Sequence, residues 1–238
     1  MKISTSAMSH RTEPQAWLIP AQLFKHSQLQ GCLFVPGQPQ VFQNRLSLPA
    51  CLNQAAPKRQ TEYLAGRWCV QQVYQQLGLA LPLPEYQAQA APHWPAGWLG
   101  SISHTQAAEQ GYAVAALASL SEVQALGLDL EATMSEGVAE RVRNNILHPD
   151  EQRWVQTPAQ LSLIFSFKES LYKAFNPILQ RFIGFQEVVV TALETEGQVH
   201  FEPWAELKQD LPAQAPRQGS WQHLEPLWLT AYEWSQLG

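Results

Sequence analysis

The sequence predicts an α+β fold, on three observations. Two long helical patterns stand at residues 58–77 and 159–175. Short apolar strand patterns are mixed among them without a strict strand-helix alternation. Two of these strand patterns, 112–118 and 123–131, are separated only by residues 119–122 and read as a hairpin. The chain has 238 residues, enough for one large domain or two small ones. A boundary near residue 110 divides it into an N-terminal half, 1–110, and a C-terminal half, 111–238.

The first 57 residues are rich in Gln and Pro, with short strands expected at 33–35 and around Val41. In the helix at 58–77, Tyr63, Val70, Val73, Tyr74 and Leu77 recur at helical spacing, and Gly78 is placed to cap its end. Residues 82–100 hold four prolines and two glycines and read as a long structured loop, a kind of segment that often carries function. Residues 101–105 then lead into the hairpin. A helix is expected at 135–147, stopped by Pro149, with a short one opening at 150–151. The helix at 159–175 shows Leu161, Ile164, Phe165, Leu171, Tyr172 and Phe175 on its apolar face, and Asn176-Pro177 is expected to end it. Strands are expected at 182–192, 199–201 and 227–232.

Composition narrows the function. The chain is 45% hydrophobic and 15% charged, as globular proteins are, with a net charge of −5. Nothing in that charge favours nucleic acid, so an anionic ligand must be held by a few placed cations. Cys32, Cys51 and Cys69 form no CxxC pair, which suggests buried free thiols in a reducing compartment. Residues 1–17 lack the apolar core of a secretory signal, and no apolar run has the roughly 18 residues a membrane helix needs. A cytoplasmic protein without a transmembrane segment is expected.

Four groups of residues have chemical potential. Asp129 and Glu131 lie two apart at the end of a predicted strand, so both carboxylates share a face while Leu130 turns away. A cation between them, Mg²⁺ above all if a substrate phosphate completes its shell, explains the pair; taken alone, a solvated strand end explains it better. Glu169 and Lys173 lie four apart on the second long helix, the spacing of an ordinary exposed ion pair. With Lys168 beside them, however, they fall within an apolar helix expected to be buried, where charges need partners such as a metal and a polyphosphate. Arg59 and Arg67, two turns apart on the first long helix, are placed to grip a phosphate with forked hydrogen bonds or simply to be solvated. Ser103-His104 is a weak nucleophilic dyad, a phosphate donor or a packing pair, since no GxSxG elbow surrounds the serine. The absence of GxxxxGK[ST], GxGxxG and HExxH disfavours P-loop, Rossmann and zincin chemistry.

Lys58-Arg59 to Gly66-Arg67, Trp94-Pro95 to Gly100-Ser101-Ile102-Ser103-His104, Gly127-Leu128-Asp129-Leu130-Glu131, and Phe165-Ser166-Phe167-Lys168-Glu169-Ser170-Leu171-Tyr172-Lys173-Ala174 follow one another in a familiar order. Together they resemble the Sfp-type 4′-phosphopantetheinyl transferases, and among these the enterobactin-synthase component D branch. The resemblance covers about residues 58–177, and its most specific block is the Lys-Glu pair with a lysine four residues after the glutamate. It implies two similar α/β halves related by a pseudo-twofold, with coenzyme A in the cleft between them and an apo acyl or peptidyl carrier protein as acceptor. It also implies Mg²⁺ on Asp129, Glu131 and Glu169, the pyrophosphate on Lys173 with Lys168 nearby, the 3′-phosphate and neighbouring groups on Arg59, Arg67 and His104, and Ser103 seating the nucleotide. Glu169 is the candidate base, with Lys173 as the other catalytic residue. A monomer suffices for such a site. Many relatives carry a basic residue shortly before the Trp-Pro pair; residues 87–93 here have none, with His93 a candidate substitute. Arg141 and Arg143 are candidates for carrier contact. A metal-dependent phosphoester hydrolase using the same carboxylates, and a non-catalytic coenzyme-A-binding module, are the competing readings.

Overall fold

The computed structural model describes residues 13–19, 23–87 and 91–236. Within them, β1 (Gln15–Trp17), β2 (Gln28–Phe34), β3 (Trp98–Ala107) and β4 (Gln110–Ser119) form one antiparallel sheet, in the order β1-β2-β4-β3. A second antiparallel sheet takes β5 (Val123–Ala132), β6 (Val188–Leu193), β7 (Gln198–Pro203), β8 (Gln218–Leu224) and β9 (Leu227–Ser235), in the order β5-β9-β8-β7-β6. Two long helices, α2 (Pro57–Leu77) and α5 (Pro158–Leu179), accompany four shorter ones: α1 (Gln40–Gln43), α3 (Glu136–Ile146), α4 (Pro149–Gln152) and α6 (Leu207–Asp210).

Successive strand residues point to opposite faces, and each face here has its own partner. On β4, Ala113, Ala115 and Leu117 pack with Leu64, Cys69 and Val73 of α2. Its alternate residues Val114, Ala116 and Ala118 meet Leu126, Leu128 and Leu130 of β5 and Leu229 of β9. The opposite face of the second sheet packs under α5, where Phe167, Leu171 and Phe175 join Val190, Phe201 and Tyr232. Thus α2 and α5 lie on the outer faces and a leucine-rich layer fills the space between the sheets.

The sheets also join along an edge. β3 ladders with β4 and β5 with β9, and each is the last strand of its sheet. Leu128 N donates to Ser101 Oγ at 3.0 Å, and Leu130 N donates to Ser103 Oγ at 3.2 Å. Buried main-chain N–H groups must find acceptors. Two hydroxyls at alternate positions of β3 provide them where a ladder would otherwise run.

α5 begins with a capping box: Gln160 N donates to Thr157 Oγ1 and Thr157 N to Gln160 Oε1, with Pro158 in the first turn. It crosses β5 at Gly127, where a Cβ would stand 1.9 Å from the Ser170 carbonyl oxygen and 2.8 Å from Ala174 N. Only glycine allows that approach, which sets the acidic face of β5 beneath Glu169 and Lys173.

Several expectations need correction. Val41 lies in α1 and not in a strand. Residues 101–105 are inside β3, so Ser103 and His104 do not precede a strand but belong to one. The 112–118/123–131 hairpin does not form; side by side, the apolar rows of both strands would cover one face, whereas folded over they cover each other. Residue 110 opens β4, so a division there would separate β4 from strands of its own sheet, and the chain changes sheets between Ser119 and Val123. α5 continues past Pro177 to a left-handed Gln180, whose N–H bonds Asn176 O at 2.8 Å. β6 starts only at Val188, and the largely polar β8 was not expected. Cys32 and Cys69 are buried, but Cys51 is exposed. No helix among the described residues is long and apolar enough to cross a membrane.

Gly127→Ala should lower stability by about 3 kcal/mol in urea unfolding, since overpacking against a main-chain oxygen has little room to relax. A loss below about 1 kcal/mol would show that α5 does not rest on this point.

Candidate active site

The first turns of α2, the middle of β3 and the last turns of α5 enclose a cleft of about 480 Å³. Arg59, Arg67, His104 and Lys173 all line it, so four residues predicted from distant segments come together. Arg59 Nη1 lies 3.1 Å from His104 Nε2. A guanidinium only donates, so Nε2 accepts and the ring proton sits on Nδ1, which faces Glu62 Oε2 at 4.0 Å. Burial, and then Arg59 and Lys173, push His104 down to about 4, so the ring is neutral at pH 7.

Arg67 is buried, with its guanidinium stacked 4.5 Å over the Tyr63 ring and Nε donating to Pro84 O at 3.2 Å. Burial lowers its pKa from the usual arginine value. Tyr86 meets Tyr63 edge-on, and the Trp94 ring lies on Gly100, where a Cβ would stand 2.2 Å from it. An aromatic wall carrying a few fixed cations suits a ligand with a flat ring and phosphates.

Lys173 links this cleft to the acidic face of β5. Its ammonium donates to Asp129 Oδ1 at 2.6 Å and to Ser103 Oγ at 3.0 Å. Ser103 Oγ donates in turn to Asp129 Oδ1 at 2.8 Å. Asp129 is only 3% exposed, and its Oδ2 is buried without a hydrogen-bond partner among the described residues. Burial raises Glu131 to about 8, with Asp129 and Glu169 adding to the rise and Lys173 opposing it. Glu169 is raised as well, by burial and then by Asp129. The three carboxyls are therefore electrostatic neighbours, but they are not gathered into a cage: among the described residues, no three His, Cys, Asp or Glu side chains stand as a ready metal site. Lys173 supplies positive charge to Asp129 instead. An all-oxygen donor set with one bare buried carboxylate oxygen fits a hard divalent cation such as Mg²⁺, and Asp129, Glu131 and Glu169 would hold it.

Two of the predicted residues do not line the cleft. Lys168 does not reach the cleft. Its side chain is fully buried, bonded to Glu151 Oε2 at 2.6 Å and to Ile146 O at 3.0 Å. Five residues of helix separate Lys168 from Lys173, about 140° of rotation, whereas four bring Glu169 within about 40° of Lys173. Glu151 also accepts from His148 N and Val190 N, so this ion pair ties α5 to α4 and β6. Burial lowers Lys168 to about 8 against the pull of Glu151, leaving it charged at pH 7. Ser103 is 5% exposed, is turned to Asp129 and is not among the residues that line the cleft.

Sequence reasoning missed Ser101, Glu62 and Glu151. The Ser-Ile-Ser alternation would have revealed Ser101 once residues 101–105 were read as a strand; Glu151 carries no local signal. In the segment before Trp94, residues 88–90 lie outside the described residues, and His93 exchanges main-chain bonds with Glu85. Arg143 donates to the carbonyls of Gln152 and Val155, while Arg141 is exposed on α3.

Comparison with known proteins agrees with this geometry. Residues 48–118 match the 4′-phosphopantetheinyl transferase N-terminal domain, and residues 125–220 match the 4′-phosphopantetheinyl transferase superfamily. The chain is 35% identical over 158 residues to enterobactin synthase component D of Salmonella typhimurium, covering 64% of this chain and 63% of that protein. It is 32% identical over 140 residues to the 4′-phosphopantetheinyl transferase Npt of Nocardia iowensis, 56% of this chain and 60% of that one. With PptT of Mycobacterium tuberculosis it shares 30% over 146 residues, 59% and 61% of the two chains. The matched stretch thus spans under two thirds of the length of these relatives.

Two measurements check the site. The His104 ring in the ligand-free protein should show no NMR titration between pH 5 and 8 and should protonate only near 4; a midpoint near 6.5, as for a free histidine, would contradict its burial beside Arg59. Lys168→Met should cost about 3–5 kcal/mol in urea unfolding, because Glu151 is left buried and unpaired. A loss below about 1 kcal/mol would show that the buried pair does not anchor α5.

Proposed function

The chain belongs to the Sfp-type 4′-phosphopantetheinyl transferases, and from that membership we propose that it transfers the 4′-phosphopantetheine group of coenzyme A to a serine of an apo acyl or peptidyl carrier protein. Adenosine 3′,5′-bisphosphate is the leaving product. The observation that carries this reading is the juxtaposition of a cationic, aromatic cleft with a buried acidic face through one residue, Lys173.

Coenzyme A carries negative charge at its 3′-phosphate and its pyrophosphate, and the chain as a whole is acidic. Local cations must therefore accept it. Arg59, Arg67 and the Nδ1–H of His104 take the 3′-phosphate and its surroundings, and Tyr63, Tyr86 and Trp94 offer apolar surface to the nucleotide. Lys173 moves its ammonium from Asp129 to the pyrophosphate. Asp129, Glu131 and Glu169 would hold Mg²⁺, which when bound would neutralise charge on the pyrophosphate. Glu169 is the candidate base for the proton of the carrier serine. The serine oxygen attacks the phosphorus next to pantetheine as the bond to the bisphosphate breaks. Catalysis rests on positioning and electrostatic stabilisation, as in other phosphoryl transfers.

The two sheets with their helices α2 and α5 are the two halves of a pseudo-twofold, with the site in the cleft between them. A single chain supplies both the cationic and the acidic residues, so a monomer suffices.

Asp129→Ala and Glu169→Ala should each slow carrier loading by about a hundredfold or more while circular dichroism shows an intact fold. Mass spectrometry of an apo carrier incubated with enzyme, coenzyme A and Mg²⁺ measures it. Loading near the wild-type rate would remove that residue from the essential set. Cleavage of coenzyme A with an unmodified carrier would favour a hydrolase, and binding without either change would favour a non-catalytic module.

A further inference from the structure

We propose that Ser103 is a positioning residue for the metal site: it fixes Asp129 so that Oδ2, and not Oδ1, is the oxygen offered to the cation. The inference rests on the transferase reading above and deepens it.

The Ser103 hydroxyl has one proton to give and two lone pairs to receive with. All three are used. It accepts from Leu130 N at 3.2 Å and from Lys173 Nζ at 3.0 Å, and it donates to Asp129 Oδ1 at 2.8 Å. The Leu130 N–H is rigid main chain of β5, the same strand that carries Asp129. The hydroxyl therefore bridges the backbone of residue 130 to the side chain of residue 129 and locks the rotamer of that carboxylate. Oδ1 already has two donors, whereas Oδ2 is buried without one among the described residues. A buried carboxylate oxygen without a partner is costly unless a cation or donor reaches it. When Lys173 leaves for a phosphate, Ser103 still holds Oδ1, and Asp129 keeps its aim.

Nearby Ser101 is the internal control. It makes the equivalent bond to Leu128 N but touches no carboxylate among the described residues, donating instead to Leu128 O at 3.4 Å.

The test is Mn²⁺ binding to the coenzyme-free protein, followed by electron paramagnetic resonance, alongside steady-state kinetics. Ser103→Ala should weaken Mn²⁺ binding about tenfold or more and raise the Mg²⁺ concentration needed for half-maximal rate, with KM for coenzyme A within about twofold of wild type. Ser103→Thr, which keeps the hydroxyl on a β-branched side chain suited to a strand, should restore Mn²⁺ affinity. Ser101→Ala should lower the melting temperature but leave Mn²⁺ affinity unchanged. Unchanged Mn²⁺ affinity in Ser103→Ala with a tenfold rise in the coenzyme A KM would overturn the proposal and return Ser103 to nucleotide seating. Equal Mn²⁺ loss in Ser101→Ala and Ser103→Ala would overturn it in favour of a general effect of the seam. A wild-type chain that loads a carrier while Ser103→Ala binds Mn²⁺ normally overturns this inference alone, and a wild-type chain that neither binds Mn²⁺ nor loads a carrier overturns the transferase reading with it.

Discussion

Two serine hydroxyls that stand in for a missing ladder hold this molecule in its working shape. The edge N–H groups of Leu128 and Leu130 must be satisfied, and Ser101 and Ser103 satisfy them from the edge of the other sheet. That seam brings the odd-numbered face of β5 beside β3. It also places the cationic end of α2, which faces β3, within reach of the acids on β5. Arg59, Arg67 and His104 come from one half, and Asp129, Glu131, Glu169 and Lys173 from the other.

Charge in this chain follows where each side chain can find a partner. The two lysines of the most specific sequence block have opposite fates because helix geometry turns them apart. Lys168 enters the core and meets Glu151, and Lys173 meets Asp129 at the border of the cleft, with 26% of its side chain exposed. A fully buried pair is held by several hydrogen bonds and suits architecture. A partly exposed one can exchange partners, as the proposed move of Lys173 from Asp129 to a phosphate requires. Glu131 and Glu169, poorly solvated and then crowded by Asp129, resist ionisation, and a divalent cation would relieve that strain.

Much of this was legible in the sequence where the pattern was local. Alternation placed Asp129 and Glu131 on one face and Leu130 on the other, as β5 shows. Helical spacing marked α2 and α5 and paired Glu169 with Lys173. What escaped was the pairing of strands. The short 119–122 connection looks like a hairpin turn, and nothing local tells that Val114 and Leu128 face each other across a core. Glu151 was equally hidden, since its partner lies 17 residues away and packs only once three elements converge. The contacts of Ser103 were hidden for the same reason, because its partners on β5 and α5 meet only in the folded chain.

The acids of β5 and α5 are proposed to close on one cation with Asp129 Oδ2 as a ligand. Anomalous diffraction from crystals grown with Mn²⁺ and coenzyme A tests it most directly. A single Mn²⁺ peak at bonding distance from Asp129 Oδ2, with Glu131 and Glu169 drawn in and Oδ1 still on Ser103, is the predicted result. A peak elsewhere in the cleft, with Oδ2 still bare and Lys173 still on Asp129, would contradict it.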